Sequence, residues 1–299
     1  MSCLRMIMIS VAAALLPSAP VSARQERATP ELHDLMLDGR ALHLEVRRGR
    51  ADAPIVVLEA GATLDSREWM PVISRLLPRT DSTIITYDRA GMGRSQPLGK
   101  TYDIRNEVAR LRRALRRLGL SRDLVLAGHS YGGFLIQLYA RRYPKDVAAL
   151  VYVDPNTVTG LDGIGGAERF RTSILAAVRG GTNRFNDVPL AEAYVRTMTT
   201  MMKYPAPCGI PVTVLTQGAQ DRVTNDPALI RWRDGHLSLA ERTNAKLIYA
   251  AKSGHMIPDD EPELVATAIA ETLRAVAETP TRKPIPCPDG QRPADRGGR

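Results

Sequence analysis

Leu124-Val125-Leu126-Ala127-Gly128-His129-Ser130-Tyr131-Gly132-Gly133 is the stretch whose reading decides the fold. An apolar, strand-like run enters a serine flanked by glycines, and a helix-like run follows over residues 134–142. This is G-x-S-x-G with a strand before it and a helix after it. A strand that turns at once into a helix crowds its own backbone, so Gly128 and Gly132 are expected where a side chain would collide. The turn lifts the Ser130 hydroxyl above the sheet and aims the Tyr131 N–H at any oxyanion formed there.

Working outward, the strand-like runs recur with helices between them. Residues 42, 44 and 46 alternate apolar with polar neighbours, as in a half-buried strand. Residues 55–58 are a continuous apolar run, the pattern of a strand covered on both faces, and residues 83–87, 148–153, 212–216 and 247–250 read as further strands. Helices are expected over residues 69–76, 104–118, 237–244 and 261–277, the second capped by Asp103. The alternation predicts an α/β protein with a mostly parallel, doubly wound sheet. Residues 156–207 break the rhythm, with helix-like pieces near 168–178 and 190–202, and are expected to form a small helical lid. The core is thus divided into 24–155 and 208–278, with a tail over 279–299.

A serine hydroxyl needs a base, and the base needs an orienting acid. In a parallel sheet the strand carboxyl ends share one rim. Of five histidines, His255 alone follows the last strand directly, so it is expected as the base. His129 is expected to pack, and His236 to lie in an exposed segment. Asp154 and Asp221 both follow strands and both precede His255. Asp221 is expected as the acid, with Asp154 as the alternative. The second oxyanion donor should come from the loop after residues 55–58, and Ala62 is expected there. No His, Cys or carboxylate set has metal-ligand spacing, and no dinucleotide fingerprint is present, so no metal and no cofactor are expected.

The 299-residue chain is 44% hydrophobic and 24% charged, enough for one large core. Its formal charge of +9 comes from scattered arginines, such as Arg112, Arg113, Arg116 and Arg117, which suit a solvated helix face. No clustered basic face with interleaved aromatics is found, so nucleic acid is not an expected partner. Arg5, the apolar residues 6–16 and Val21-Ser22-Ala23 read as a signal peptide, residues 1–23. A periplasmic or secreted location follows, without stable membrane insertion after cleavage. In that compartment Cys208 and Cys287 are expected to pair.

The motif set resembles an α/β-hydrolase of the lid-bearing type that includes carboxylesterases, proline iminopeptidases, lactonases and cofactor-free haloperoxidases. The resemblance rests on Leu58-Glu59-Ala60-Gly61, Tyr87-Asp88-Arg89-Ala90-Gly91-Met92-Gly93-Arg94-Ser95, Gly128-His129-Ser130-Tyr131-Gly132-Gly133, Gly218-Ala219-Gln220-Asp221 and Gly254-His255, and spans residues 41–278. Many relatives carry His-Gly where Ala60-Gly61 stands. Serine at the nucleophile position argues against epoxide hydrolases and haloalkane dehalogenases, which carry aspartate there. The resemblance implies an exported serine hydrolase that cleaves a small ester, or an amide, through an acyl-enzyme. One alternative is an aminopeptidase of the proline iminopeptidase kind, with Asp162, Glu168, Asp187 and Glu192 as candidate holders of a substrate ammonium. Another is a binding protein that kept the fold, against which the complete triad argues.

Overall fold

The computed structural model describes residues 29–97, 99, 101–161, 166–180, 188–218 and 226–278. Eight strands form one sheet: β1 (Glu31–Leu37), β2 (Arg40–Arg47), β3 (Ile55–Glu59), β4 (Thr83–Tyr87), β5 (Leu124–His129), β6 (Val147–Val153), β7 (Val212–Gln217) and β8 (Lys246–Ala250). Their order is β1-β2-β4-β3-β5-β6-β7-β8. β2 runs antiparallel to both β1 and β4, and every pairing from β4 to β8 is parallel. The fold class expected from the alternation is therefore the one observed.

β1 is the strand the apolar pattern does not reveal. It lies at the sheet edge and is mostly exposed, so nothing selects for apolar alternation along it. Its signal is the Asp38-Gly39 turn into β2, with φ of 54° and 71°, the left-handed pair of a two-residue hairpin.

Successive side chains of β3 point to opposite faces, and the two halves of the core follow from that. Ile55 and Val57 pack with α2 (Ile104–Arg117) and α3 (Gly132–Arg142), whereas Val56 and Leu58 pack with α1 (Met70–Leu76) and α9 (Pro262–Glu278). Between β6 and β7 come α4 (Val158–Leu161), α5 (Gly166–Arg179) and α6 (Val188–Met202), within the span expected for the lid. α7 (Pro227–Thr243) starts ten residues before its expected position. Asp226 caps it by accepting the Ala228 N–H at 2.8 Å, and Pro227 takes the first turn. A Cβ on Gly235 of α7 would fall 2.2 Å from Thr157 Oγ1 and 2.7 Å from the Gly160 nitrogen, so only glycine lets α7 close on α4. A short α8 (Ile257–Asp260) follows His255. Among the described residues no helix is long and apolar enough to cross a membrane.

Candidate active site

β5 lies between β3 and β6, where the chain order reverses, and the crevice at such a switch point opens at the strands' carboxyl ends. Ser130 follows β5 directly with φ of 51°, an uncommon conformation for a residue with a side chain. The crowding behind it matches the sequence argument. A Cβ on Gly128 would sit 2.6 Å from the Gly132 carbonyl oxygen, and one on Gly132 would sit 2.5 Å from the Glu59 carbonyl oxygen. The elbow therefore rests against the end of β3. Its serine is held from the other side too, because the Ser130 N–H donates to the Val153 carbonyl at 3.1 Å.

The Ser130 hydroxyl donates to His255 Nε2 at 3.0 Å, and His255 Nδ1–H donates to Asp154 Oδ2 at 2.6 Å. The carboxylate on the histidine is thus Asp154, the alternative, while Asp221 lies outside the described residues. The local backbone presents Asp154 to the site. Asp154 follows β6, the immediate neighbour of the nucleophile strand, and its own φ of 42° turns the carboxylate back over the sheet rim. Gln217 N–H donates to Asp154 Oδ1 at 2.8 Å, and Trp232 Nε1–H donates to Oδ2 at 2.9 Å. Burial works to raise the Asp154 pKa. The His255 bond, the nearby His236 and His255 charges and the Gln217 N–H outweigh it and hold the carboxyl below its ordinary value. Trp232 also meets the His255 ring edge-on, with centroids 5.4 Å apart.

His236 departs from its expected exposed setting. It is fully buried on α7, with Nε2–H donating to the Pro155 carbonyl at 2.8 Å and Nδ1 3.7 Å from Asp154 Oδ1. The local sequence concealed this because the polar neighbours Arg233 and Asp234 mask an inward helix face.

The loop after β3 is pinned by an arginine. Arg89 donates to Glu59 Oε1 at 2.7 Å, to the Ala60 carbonyl at 2.6 Å, to the Ala62 carbonyl at 2.9 Å, and also to the Gly61 carbonyl. In a trans peptide the N–H points away from the preceding carbonyl. Holding the Gly61 oxygen at Arg89 therefore turns the Ala62 N–H to the opposite side. The Gly61 N–H is spoken for, donating to Glu68 Oε2 at 2.8 Å. Tyr131, just before α3, supplies an N–H from the helix start, where backbone donors lack intrahelical partners. Burial pushes Glu59 up to about 7 against the pull of Arg89.

A cavity of about 370 Å³ opens beside His255. Leu161, Phe170 and Arg169 line it from the inserted helices, and Leu229 and Trp232 from α7. Phe170 stacks between Tyr194 and Trp232, with centroids at 5.7 and 6.0 Å. The insertion is tied to the elbow as well, since Asn156 donates to the Tyr194 hydroxyl and the Tyr131 hydroxyl bonds Thr197 at 3.2 Å. Of the candidate ammonium holders, Glu168 and Glu192 are exposed and both pair with Arg171, at 2.6 and 3.3 Å. Asp162 and Asp187 lie outside the described residues, as do residues 1–23 and Cys287. Cys208 is buried.

These features define a doubly wound α/β protein with a serine on a strand-to-helix elbow. The alpha/beta hydrolase family matches residues 55–268. The chain belongs to that family. It is 26% identical over 244 residues to the uncharacterized protein YqjL of Bacillus subtilis strain 168, covering 81% of this chain and 92% of YqjL. It is 33% identical over 105 residues to the putative carbamate hydrolase RutD of Escherichia coli O1:K1, covering 35% of this chain and 38% of RutD. A thermophilic esterase from Thermogutta terrifontis has a similar fold, with a TM-score of 0.62 and 20% identity over 83% of this chain and 99% of the esterase.

Proposed function

We propose that the protein is an exported serine hydrolase that cleaves carboxylic esters through an acyl-enzyme, with Ser130 as nucleophile, His255 as base and Asp154 as orienting acid. The observation that carries this reading is the hydrogen-bonded chain from Ser130 Oγ through His255 to Asp154, at 3.0 and 2.6 Å, on the elbow. His255 takes the serine proton as Oγ attacks the substrate carbonyl. The C=O pair moves onto oxygen, and the Ala62 and Tyr131 N–H groups meet the oxyanion. The oxyanion collapses, the C–O bond to the alcohol breaks, and His255 returns the proton to the leaving group. Water, deprotonated by His255, then attacks the acyl-enzyme and releases the acid with Ser130 restored.

The cavity beside His255 suits an apolar acyl or alcohol group of moderate size, given its Leu161, Phe170, Leu229 and Trp232 walls. Carbamate esters need the same chemistry, and the partial similarity to RutD places them on the substrate panel. The aminopeptidase alternative loses support from Glu168 and Glu192, whose charges are met by Arg171 at the surface. Export rests on residues 1–23 and points to a periplasmic or secreted protein. With it goes a Cys208–Cys287 bridge. It is supported by Cys208 being a buried half-cystine rather than a free thiol, and by Cys287 as the one other cysteine after cleavage at Ala23.

Intact-mass labelling with a fluorophosphonate tests the reading. One adduct on the wild type and none on Ser130→Ala is expected. An unlabelled, folded wild type refutes it, and so does equal ester hydrolysis by the variant.

A further inference from the structure

A second charged chain lies under the first. His129, between the elbow glycine and Ser130, and Glu68, just before α1, are in ion-pair contact, and both side chains are 1% exposed. Glu68 reaches outward on one side, where Oε2 accepts the Gly61 N–H of the oxyanion loop at 2.8 Å. His129 reaches outward on the other, where Nε2–H donates to the carbonyl oxygen of His255 at 2.8 Å. The two imidazole rings lie 4.8 Å apart. A carbonyl oxygen can only accept, so Nε2 carries a proton. Nδ1 faces the Glu68 carboxyl at ion-pair distance. Burial by itself would lower the His129 pKa. Glu68 and the His255 carbonyl outweigh it and raise it. Asp259 on α8 also senses this charge. Burial raises its pKa first and Glu68 raises it further, while His129 lowers it.

We propose that the buried Glu68–His129 pair is a positioning device that ties the oxyanion loop at Gly61–Ala62 to the loop carrying His255, so that the donor and the base are held at a fixed separation for the transition state. The inference rests on the serine hydrolase reading. These two loops come from opposite ends of the chain, after β3 and after β8, and no ladder joins them. The pair closes that gap with two groups whose partners are backbone atoms, which a side-chain change elsewhere cannot displace. The close fit extends to Gly61, where a Cβ would lie 3.1 Å from His129 Nδ1. A shift of donor against base misplaces the oxyanion without changing the substrate cavity, so turnover should suffer and binding should not.

Glu68→Gln keeps an oxygen able to accept from Gly61 but removes the charge, and His129→Gln keeps a donor for the His255 carbonyl but removes its own. Each variant and the double variant are assayed for the second-order rate of fluorophosphonate labelling and for kcat and KM on 4-nitrophenyl acetate. Thermal unfolding is measured alongside. Each single variant is expected to label and turn over at least about tenfold more slowly with KM within about twofold, and the double variant to be no slower than the worse single. Wild-type labelling rates in either folded variant overturn the proposal. A loss confined to melting temperature, additive effects in the double variant, or the failure of both singles to fold overturns it equally, because the pair is then only core. An unlabelled wild type would instead sink the hydrolase reading itself, and the inference with it.

Discussion

Asp154→Asn, set against Asp221→Asn, puts the assignment of the acid at risk. Three donors converge on the Asp154 carboxylate: His255 Nδ1 and Trp232 Nε1 on Oδ2, and the Gln217 N–H on Oδ1. An asparagine offers one oxygen and one NH2. With its oxygen toward His255, its NH2 meets the Gln217 N–H, donor against donor, and the buried mismatch costs about 1–3 kcal/mol of stability. With its oxygen toward Gln217, its NH2 faces His255 and demands the opposite tautomer. Nε2 then carries the proton and cannot accept one from Ser130. Either way the imidazolium of the transition state loses its counter-charge. In serine hydrolases that substitution lowers kcat about 10⁴-fold, or about 5 kcal/mol at about 1.36 kcal/mol per decade.

The assay is stopped-flow acylation by 4-nitrophenyl acetate, with melting temperature as the control for folding. Asp154→Asn should lose about three to four decades in the acylation rate, and Asp221→Asn less than one. The reverse ranking, with Asp221→Asn crippled and Asp154→Asn within tenfold of wild type, would refute the geometric reasoning.

Arg89→Met should cost about 3–5 kcal/mol, because it leaves the buried Glu59 without its positive partner and takes the arginine donor from three loop carbonyls. Since burial raises Glu59 to about 7, its ionised form works against folding as pH rises. Urea titrations should therefore show a larger loss at pH 8 than at pH 5, and equal losses would count against the pairing. The depressed Asp154 pKa gives the opposite sign. Its stabilisation is present above the unfolded value of about 3.9 and is lost as pH falls through the lower folded value, an acid limb that should flatten in Asp154→Asn. The raised His129 pKa gives stability that is full below 6.5 and lost as pH rises through the folded value. That decline should be missing from the denaturant midpoints of His129→Gln.

Much of the architecture is legible from apolar runs, because a strand covered on both faces has no choice but to be apolar. β4 was bounded to the residue, and β3, β6, β7 and β8 to within one. β1 escaped because its side chains face water. The first half of α7 escaped because an amphipathic surface helix is less uniform, although Asp226-Pro227 was there as a start signal. Within the site, Ser130 and His255 follow from local pattern plus the rule of the shared rim. The choice between Asp154 and Asp221 does not. Both satisfy chain order and both follow strands, and what singles out Asp154 is a contact between distant parts of the chain, its 2.6 Å bond to His255. Trp232, Glu68 and the buried setting of His236 are contacts across the fold and leave no mark at short sequence range.

The departure at Ala60-Gly61 now has a physical meaning. The Ala60 side chain carries no polar group, so the loop must take its fixed shape from its surroundings. Arg89 holds its carbonyls from one side and Glu68 holds its one inward N–H from the other. Both are buried and charged, and a charged donor or acceptor makes the stronger bonds to backbone. A loop held this way does not need to reorganise when negative charge appears on the substrate oxygen, which is the condition under which hydrogen-bond donors accelerate a reaction. The inserted helices meet the site mainly through the cavity, where Phe170, Leu161 and Arg169 line the space beside His255 without a hydrogen bond to Ser130, His255 or Asp154 among those described. Substitutions there should change which ester is accepted before they change how fast the serine is acylated.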